Sequence, residues 1–119
     1  MIYIGTDIVP ISRIENMINE KGERFLNHLF TEIEQRICNE KAKPYIHYSG
    51  KFAAKEAIKK TLLSSKTFEN IALKSIEIHN DDLGAPIINM NIGNIDSRKL
   101  NVSISHAGEY ATATAILEL

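Results

Sequence analysis

The chain has one cysteine, Cys38, no tryptophan and three prolines among its 119 residues. A single cysteine excludes an intrachain disulfide and a cysteine-ligated zinc site, and it suits a reducing compartment. No apolar run approaches the roughly 18 residues that a membrane helix needs. The N-terminus, Met1-Ile2-Tyr3-Ile4-Gly5-Thr6-Asp7, lacks a basic start and meets an acid early, unlike a secretory signal. A cytoplasmic protein with no membrane partner is therefore expected. There is no Walker-type glycine loop, no His-Glu-x-x-His metal motif, no repeat and no low-complexity tract. What remains is an ordinary globular composition, 44% hydrophobic and 24% charged. The length supports one core better than two, so a single domain over residues 1–119 is expected.

Net charge is −1, which by itself implies no polyanion partner. Its distribution is uneven. Residues 41–66 carry Lys41, Lys43, Lys51, Lys55, Lys59, Lys60 and Lys66, with Glu56 as the only acid. A basic stretch in an otherwise acidic chain is an anion-binding hint, and its plain alternative is a solvated helix face. The stretch holds no arginine, which argues against a sequence-specific nucleic-acid reader.

Residues 2–9 are β-branched and aromatic enough for a strand. Pro10 should stop pairing, with Ser12 and Glu15 capping a helix over 12–21 that Gly22 ends. A short helix over 23–29 follows, and Thr31 with Glu34 caps another. A long helix is expected from Tyr45 to Leu63, with a loop over 64–70. Strands are expected at 73–79, 87–92, 101–105 and 110–117, with the cluster Asn80 to Pro86 as a turn. Strands mostly in hairpins, with helices in one block, make an α+β fold whose antiparallel sheet packs on a long central helix.

Three residues look out of place. Asp7 lies in a strand, on the face shared by Tyr3, Gly5 and Val9, and Gly5 leaves room beside it. The alternative is a frayed strand end capping the next helix. Glu56 lies on a helix that is apolar round most of its girth, so it needs Lys60 or a metal as partner. His106 ends a strand before Ala107-Gly108, where it can line a cleft and titrate near neutrality, or sit as an ordinary surface residue. Two hard carboxylates, a histidine and surplus lysine suit Mg²⁺ held partly by substrate phosphates, and suit neither zinc nor iron. The residues alone support a Mg²⁺-dependent enzyme acting on a phosphate ester or anhydride.

Gly5-Thr6-Asp7-Ile8-Val9 with Arg13-Ile14, Lys51-Phe52-Ala53-Ala54-Lys55-Glu56-Ala57 with Lys60, and Val102-Ser103-Ile104-Ser105-His106 resemble the three signature blocks of the holo-acyl-carrier-protein synthases, within the 4′-phosphopantetheinyl transferases. The middle block is the most specific, and the likeness covers nearly the whole chain. The resemblance implies a homotrimer with sites between subunits. It implies transfer of 4′-phosphopantetheine from coenzyme A to a serine of apo-acyl carrier protein, with release of adenosine 3′,5′-bisphosphate, in fatty acid biosynthesis. It implies Mg²⁺ on Asp7 and Glu56 and coenzyme A contacts from Lys51, Lys55, Lys60, Lys66 and His106. It also implies docking of the carrier protein at Arg13 and Met17. Glu56, Lys60 and His106 are then the candidate catalytic residues. The serine proton could go to Glu56, to a metal-ordered water or to His106.

Several positions depart from the family pattern. Lys51 replaces an arginine, losing its bidentate fork. Ala107 replaces a threonine, and Ser64-Ser65-Lys66-Thr67 stands where a glycine-rich turn is common. The first helix mixes Arg13, Lys21 and Arg24 with Glu15, Glu20 and Glu23. Two competing readings are a non-catalytic coenzyme A or carrier-protein binding module of the same fold, and a Mg²⁺-dependent hydrolase of small phosphoanhydrides.

Overall fold

Alternation along the first strand sets the architecture. β1 (Ile2–Pro10) buries Gly5 and Val9, half-covers Tyr3 and Asp7 on the same face, and exposes Ile2, Ile4, Thr6 and Ile8 on the other. It runs antiparallel to β5 (Tyr110–Glu118), which runs antiparallel to β4 (Leu100–Ala107), in the order β1-β5-β4. β2 (Ile76–Asn80) and β3 (Pro86–Met90) pair antiparallel as a separate sheet. The structure is a computed structural model and describes residues 1–66, 68, 70–90 and 95–119. The expected strand ends at Asn91 and Ile92, and Thr67 and Glu69 in the expected loop, lie outside the described residues.

The helices are α1 (Ile11–Lys21), α2 (Glu23–Leu29), α3 (Glu32–Asn39) and α4 (Pro44–Ser64). Gly22, at φ 56, ends α1 by donating its N–H to Ile18 O. The expected Ser12–Glu15 box does not form. α1 starts one residue earlier, after Pro10, and the free N–H of Ile11 donates to Glu109 O at 2.8 Å. Thr31 and Glu34 do form a reciprocal capping box on α3. Residues 73–75, expected in a strand, make a 3-10 turn instead, which leaves Leu73 O facing the Lys55 ammonium at 3.1 Å.

α4 lies on the inner face of the three-stranded sheet through small residues on both sides. Ala53, Ala54 and Ala57 of the helix and Ala111, Ala113 and Ala115 of β5 are all buried. Contact is close enough that a Cβ on Gly5 would lie 2.1 Å from Ala57 O, so β1 can cross α4 only with glycine there. On the far side of α4 the core continues through Phe30, Tyr48, Ile58, Leu62, Ile76 and Ile78.

One ion pair is sealed in this core. Glu34 and Lys55 are fully buried, with Nζ donating to Oε1 at 2.6 Å. The same carboxylate accepts from Thr31 N at 2.9 Å and from Ile78 N at 2.8 Å. It therefore joins the start of α3, the middle of α4 and β2. A buried ion pair is tolerable when its remaining hydrogen-bonding capacity is met in this way.

Candidate active site

The first group of candidates gathers where β1 crosses α4. Asp7 Oδ1 accepts from Lys60 Nζ at 3.0 Å, and Lys60 also donates to Thr6 O at 2.9 Å. The Asp7 side chain is 16% exposed and that of Lys60 51%. Thr112 Oγ1 steadies the strand by donating to Asp7 O at 2.9 Å. Glu56 sits one helical turn before Lys60 on the partly exposed stripe of α4 that includes Phe52, Lys59 and Leu63. The Glu56–Lys60 salt bridge weighed from sequence does not form. Lys60 turns to Asp7, and Glu56 makes no ion pair among the described residues.

No group of three or more His, Cys, Asp or Glu gathers as a metal site among the described residues. A Mg²⁺ ion that keeps waters and substrate phosphates as its other ligands needs only two carboxylates, and the candidates are Asp7, bonded to Lys60, and Glu56, one helical turn before Lys60. Their oxygens are hard donors of the kind this ion takes, and Lys60 places a cation beside Asp7.

The second group lines a cleft of about 440 Å³ on the other side of α4. His106 forms one wall, Gly50 and Lys51 of α4 the floor, and the turn between Asn80 and Pro86 the opposite wall. His47 and Lys41 complete the rim. Burial, reinforced by the charges of Lys41, His106 and Lys51, pushes the His47 pKa down and favours its neutral form. Sequence reading missed His47, Lys41 and this turn as site residues. The cluster from Asn80 to Pro86 is legible as a turn, but no spacing ties it to His106.

The two groups are separate within one chain. Asp7 pairs across from Ala113, which pairs with Ile104, whereas His106 pairs with Ala111, two residues along in the row of Val9. Asp7 and His106 thus occupy opposite edge strands with β5 between them, roughly 10 Å apart across the strands alone.

The lysines divide as well. Lys55 is no surface cation: with its ammonium enclosed by Glu34, Leu73 O and the Phe30 ring, it is not placed to touch coenzyme A. Burial pushes its pKa down, against the pull of Glu34. Lys51 is 5% exposed and donates to Ile78 O at 2.8 Å and Asn80 Oδ1 at 3.3 Å, so the free phosphate-facing ammonium expected of it is not found. Lys66 is exposed just past α4 at φ 58, the left-handed position where glycine is usual. Arg13 is exposed on α1, one turn before half-buried Met17. Met17 helps to line a groove of about 350 Å³ with Lys21, Arg24, Phe25, His28 and Leu29.

A family profile described as the 4′-phosphopantetheinyl transferase superfamily matches residues 3–115. A holo-(acyl-carrier-protein) synthase of Chlamydia pneumoniae is 43% identical over 118 residues, which cover 98% of this chain and 96% of the relative. That of Halothermothrix orenii is 38% identical over 122 residues, covering 97% and 95%. Among solved structures, a Chronobacterium ammoniagenes ACPS-CoA complex aligns with a TM-score of 0.84 at 25% identity, over 99% of this chain and 97% of that one. The Helicobacter pylori holo-(acyl-carrier-protein) synthase in complex with coenzyme A aligns with a TM-score of 0.79 at 28% identity, over 97% and 99%. Matched over almost its whole length by profile, sequence and structure, this chain belongs to the 4′-phosphopantetheinyl transferase superfamily.

Proposed function

We propose that this chain transfers 4′-phosphopantetheine from coenzyme A to a serine of apo-acyl carrier protein, releasing adenosine 3′,5′-bisphosphate. The observation that carries the reading is the Asp7–Lys60 pair, with Glu56 one helical turn before Lys60 and in no ion pair among the described residues, in a chain matched over 98% of its length by a holo-(acyl-carrier-protein) synthase. The reaction is a phosphoryl transfer, which depends mainly on positioning and charge neutralisation. Asp7 and Glu56 would hold Mg²⁺, which when bound offsets negative charge on the pyrophosphate. Lys60 stabilises charge growing on the departing bisphosphate. The serine oxygen bonds to the β-phosphorus as the bond to the bisphosphate oxygen breaks. Glu56 and His106, neither in an ion pair among the described residues, and a water ordered by the metal are the candidates to take the serine proton.

The oligomer enters because one chain supplies two half-sites. The outer face of the three-stranded sheet exposes Ile2, Ile4 and Ile8 at 60%, 61% and 65%, with Ile116 at 41%. Such an apolar face favours burial against further copies. A homotrimer sharing sites between neighbours would bring His106 of one subunit to Asp7 and Glu56 of the next. Arg13, Met17 and the adjoining basic groove on α1 and α2 suit an acidic, partly apolar carrier-protein surface. A bacterial-type role in fatty acid biosynthesis in the cytoplasm follows from this reading.

The deciding experiment incubates apo-acyl carrier protein with coenzyme A, Mg²⁺ and this protein and weighs the carrier by mass spectrometry. Gain of one phosphopantetheine is expected, with loss of the reaction on chelation of the metal. Bound coenzyme A without transfer would favour the non-catalytic module, and its hydrolysis without a carrier protein would favour the hydrolase.

A further inference from the structure

The turn opposite His106 is held by two sets of hydrogen bonds with different reach. Asp81 supplies the local set: its Oδ1 accepts from Leu83 N and Ala85 N, each at 2.9 Å, and its own N–H donates to Ala85 O at 2.9 Å. These bonds give the turn its shape and leave its height above α4 undetermined. The second set reaches down to the helix. Lys51 Nζ donates to Asn80 Oδ1 at 3.3 Å and to Ile78 O at 2.8 Å. Asn80 Nδ2 donates in turn to Gly84 O at 3.0 Å. Among the described residues, this chain of Lys51, Asn80 and Gly84 is the hydrogen-bonded route from α4 to the turn. Gly84 and Pro86, at its far end, face the cleft with His106.

We propose that Lys51 and Asn80 are a coupled pair of positioning residues that set the width of the His106 cleft, and hence the grip on coenzyme A, by fixing the turn against α4. The inference rests on the reading that this cleft takes coenzyme A. It reassigns Lys51. At 5% exposure and with two of its three N–H groups donated inside the protein, the ammonium acts through Asn80 rather than as a free contact to a phosphate. A lysine at this position therefore works where a forked guanidinium would be needed for direct recognition, because a single buried point charge can hold both a carbonyl and an amide oxygen.

The test compares Asn80→Ala, Lys51→Met and the double variant in the full chain, by transfer kinetics and by amide exchange without ligand. Each single change should raise the coenzyme A KM by about ten-fold with kcat little altered, the loss of a charge-assisted hydrogen bond expressed alike in ground and transition states. The double variant should be no worse than the worse single one, since both cut the same link. Amides of Leu83 and Ala85 should exchange faster in both singles. Lys51→Arg should restore KM at least in part. An unchanged KM in Asn80→Ala, losses that multiply in the double variant, or unaltered exchange of the turn would each overturn the proposal. Asn80 is exposed, so its variant decides the matter should Lys51→Met fail to fold. If the wild-type chain transfers no phosphopantetheine, the functional reading fails, and amide exchange still decides whether the link exists.

Discussion

Lys60 is the residue on which charge balance in the carboxylate half-site turns. It lies 3.0 Å from Asp7 and one turn from Glu56, half exposed and able to swing toward a phosphate. Lys60→Ala should lower kcat by on the order of 10²-fold, the scale for losing a preorganised cation at developing negative charge. Steady-state kinetics at saturating coenzyme A checks this; a change in KM alone would move Lys60 to a purely binding role. Lys66 carries two separable effects. Its left-handed backbone, φ 58, is unfavourable for any residue with a Cβ. Lys66→Gly should therefore stabilise the fold by about 1 kcal/mol in urea unfolding. Lys66→Ala keeps the strain and removes the charge, and should show itself in the coenzyme A KM without stabilising the chain. If both variants have wild-type stability, the strain assignment is wrong.

At the scale of elements, the lysines of α4 separate into buried struts and exposed cations. Lys55→Met should cost about 3–5 kcal/mol in denaturant unfolding, because it leaves the Glu34 carboxylate buried beside Thr31 and Ile78 without its cation. Below its melting temperature the variant should retain its coenzyme A KM; a raised KM in a folded sample would return Lys55 to the coenzyme site. Much of this element level was legible from sequence. Gly22, the Thr31–Glu34 box and the turn residues marked ends that the structure keeps, because each acts through local backbone chemistry. The failures were non-local. Ser12 lost its capping role to Glu109 O, nearly a hundred positions away, and residues 73–75 gave up extended structure where Leu73 O meets Lys55. Burial of Lys51 and Lys55 was illegible for the same reason: their partners, Asn80 and Glu34, are far off in sequence. Asp7 and Glu56 were read as outliers because an acid in a strand or on an apolar helix is rare enough to notice, and His106 because it ends a strand before a small Ala-Gly pair. His47 was not, since a histidine near a helix start breaks no rule.

At the scale of the whole molecule, the outer sheet face and the divided site make the same demand. If the proposed trimer forms through this face, Ile8→Lys, at a position 65% exposed, should leave the protomer folded while sedimentation shows a smaller species than wild type and transfer falls with it. Mixing an Asp7→Ala chain with a His106→Ala chain should recover part of the activity after subunit exchange, through sites built from one intact half of each. No recovery despite verified exchange would mean that each chain completes its own site. The Glu34 carboxylate has a further consequence, for the path of folding. It is satisfied only when α3, α4 and β2 have all arrived, so any state missing one of them strands a charge or a backbone N–H in apolar surroundings. Partly assembled forms then lie high in free energy, which makes loss of structure all-or-none. A protease that requires local opening around α3 should cut no faster than global unfolding allows, and the cleft beside His106 should vanish in the same transition as the core.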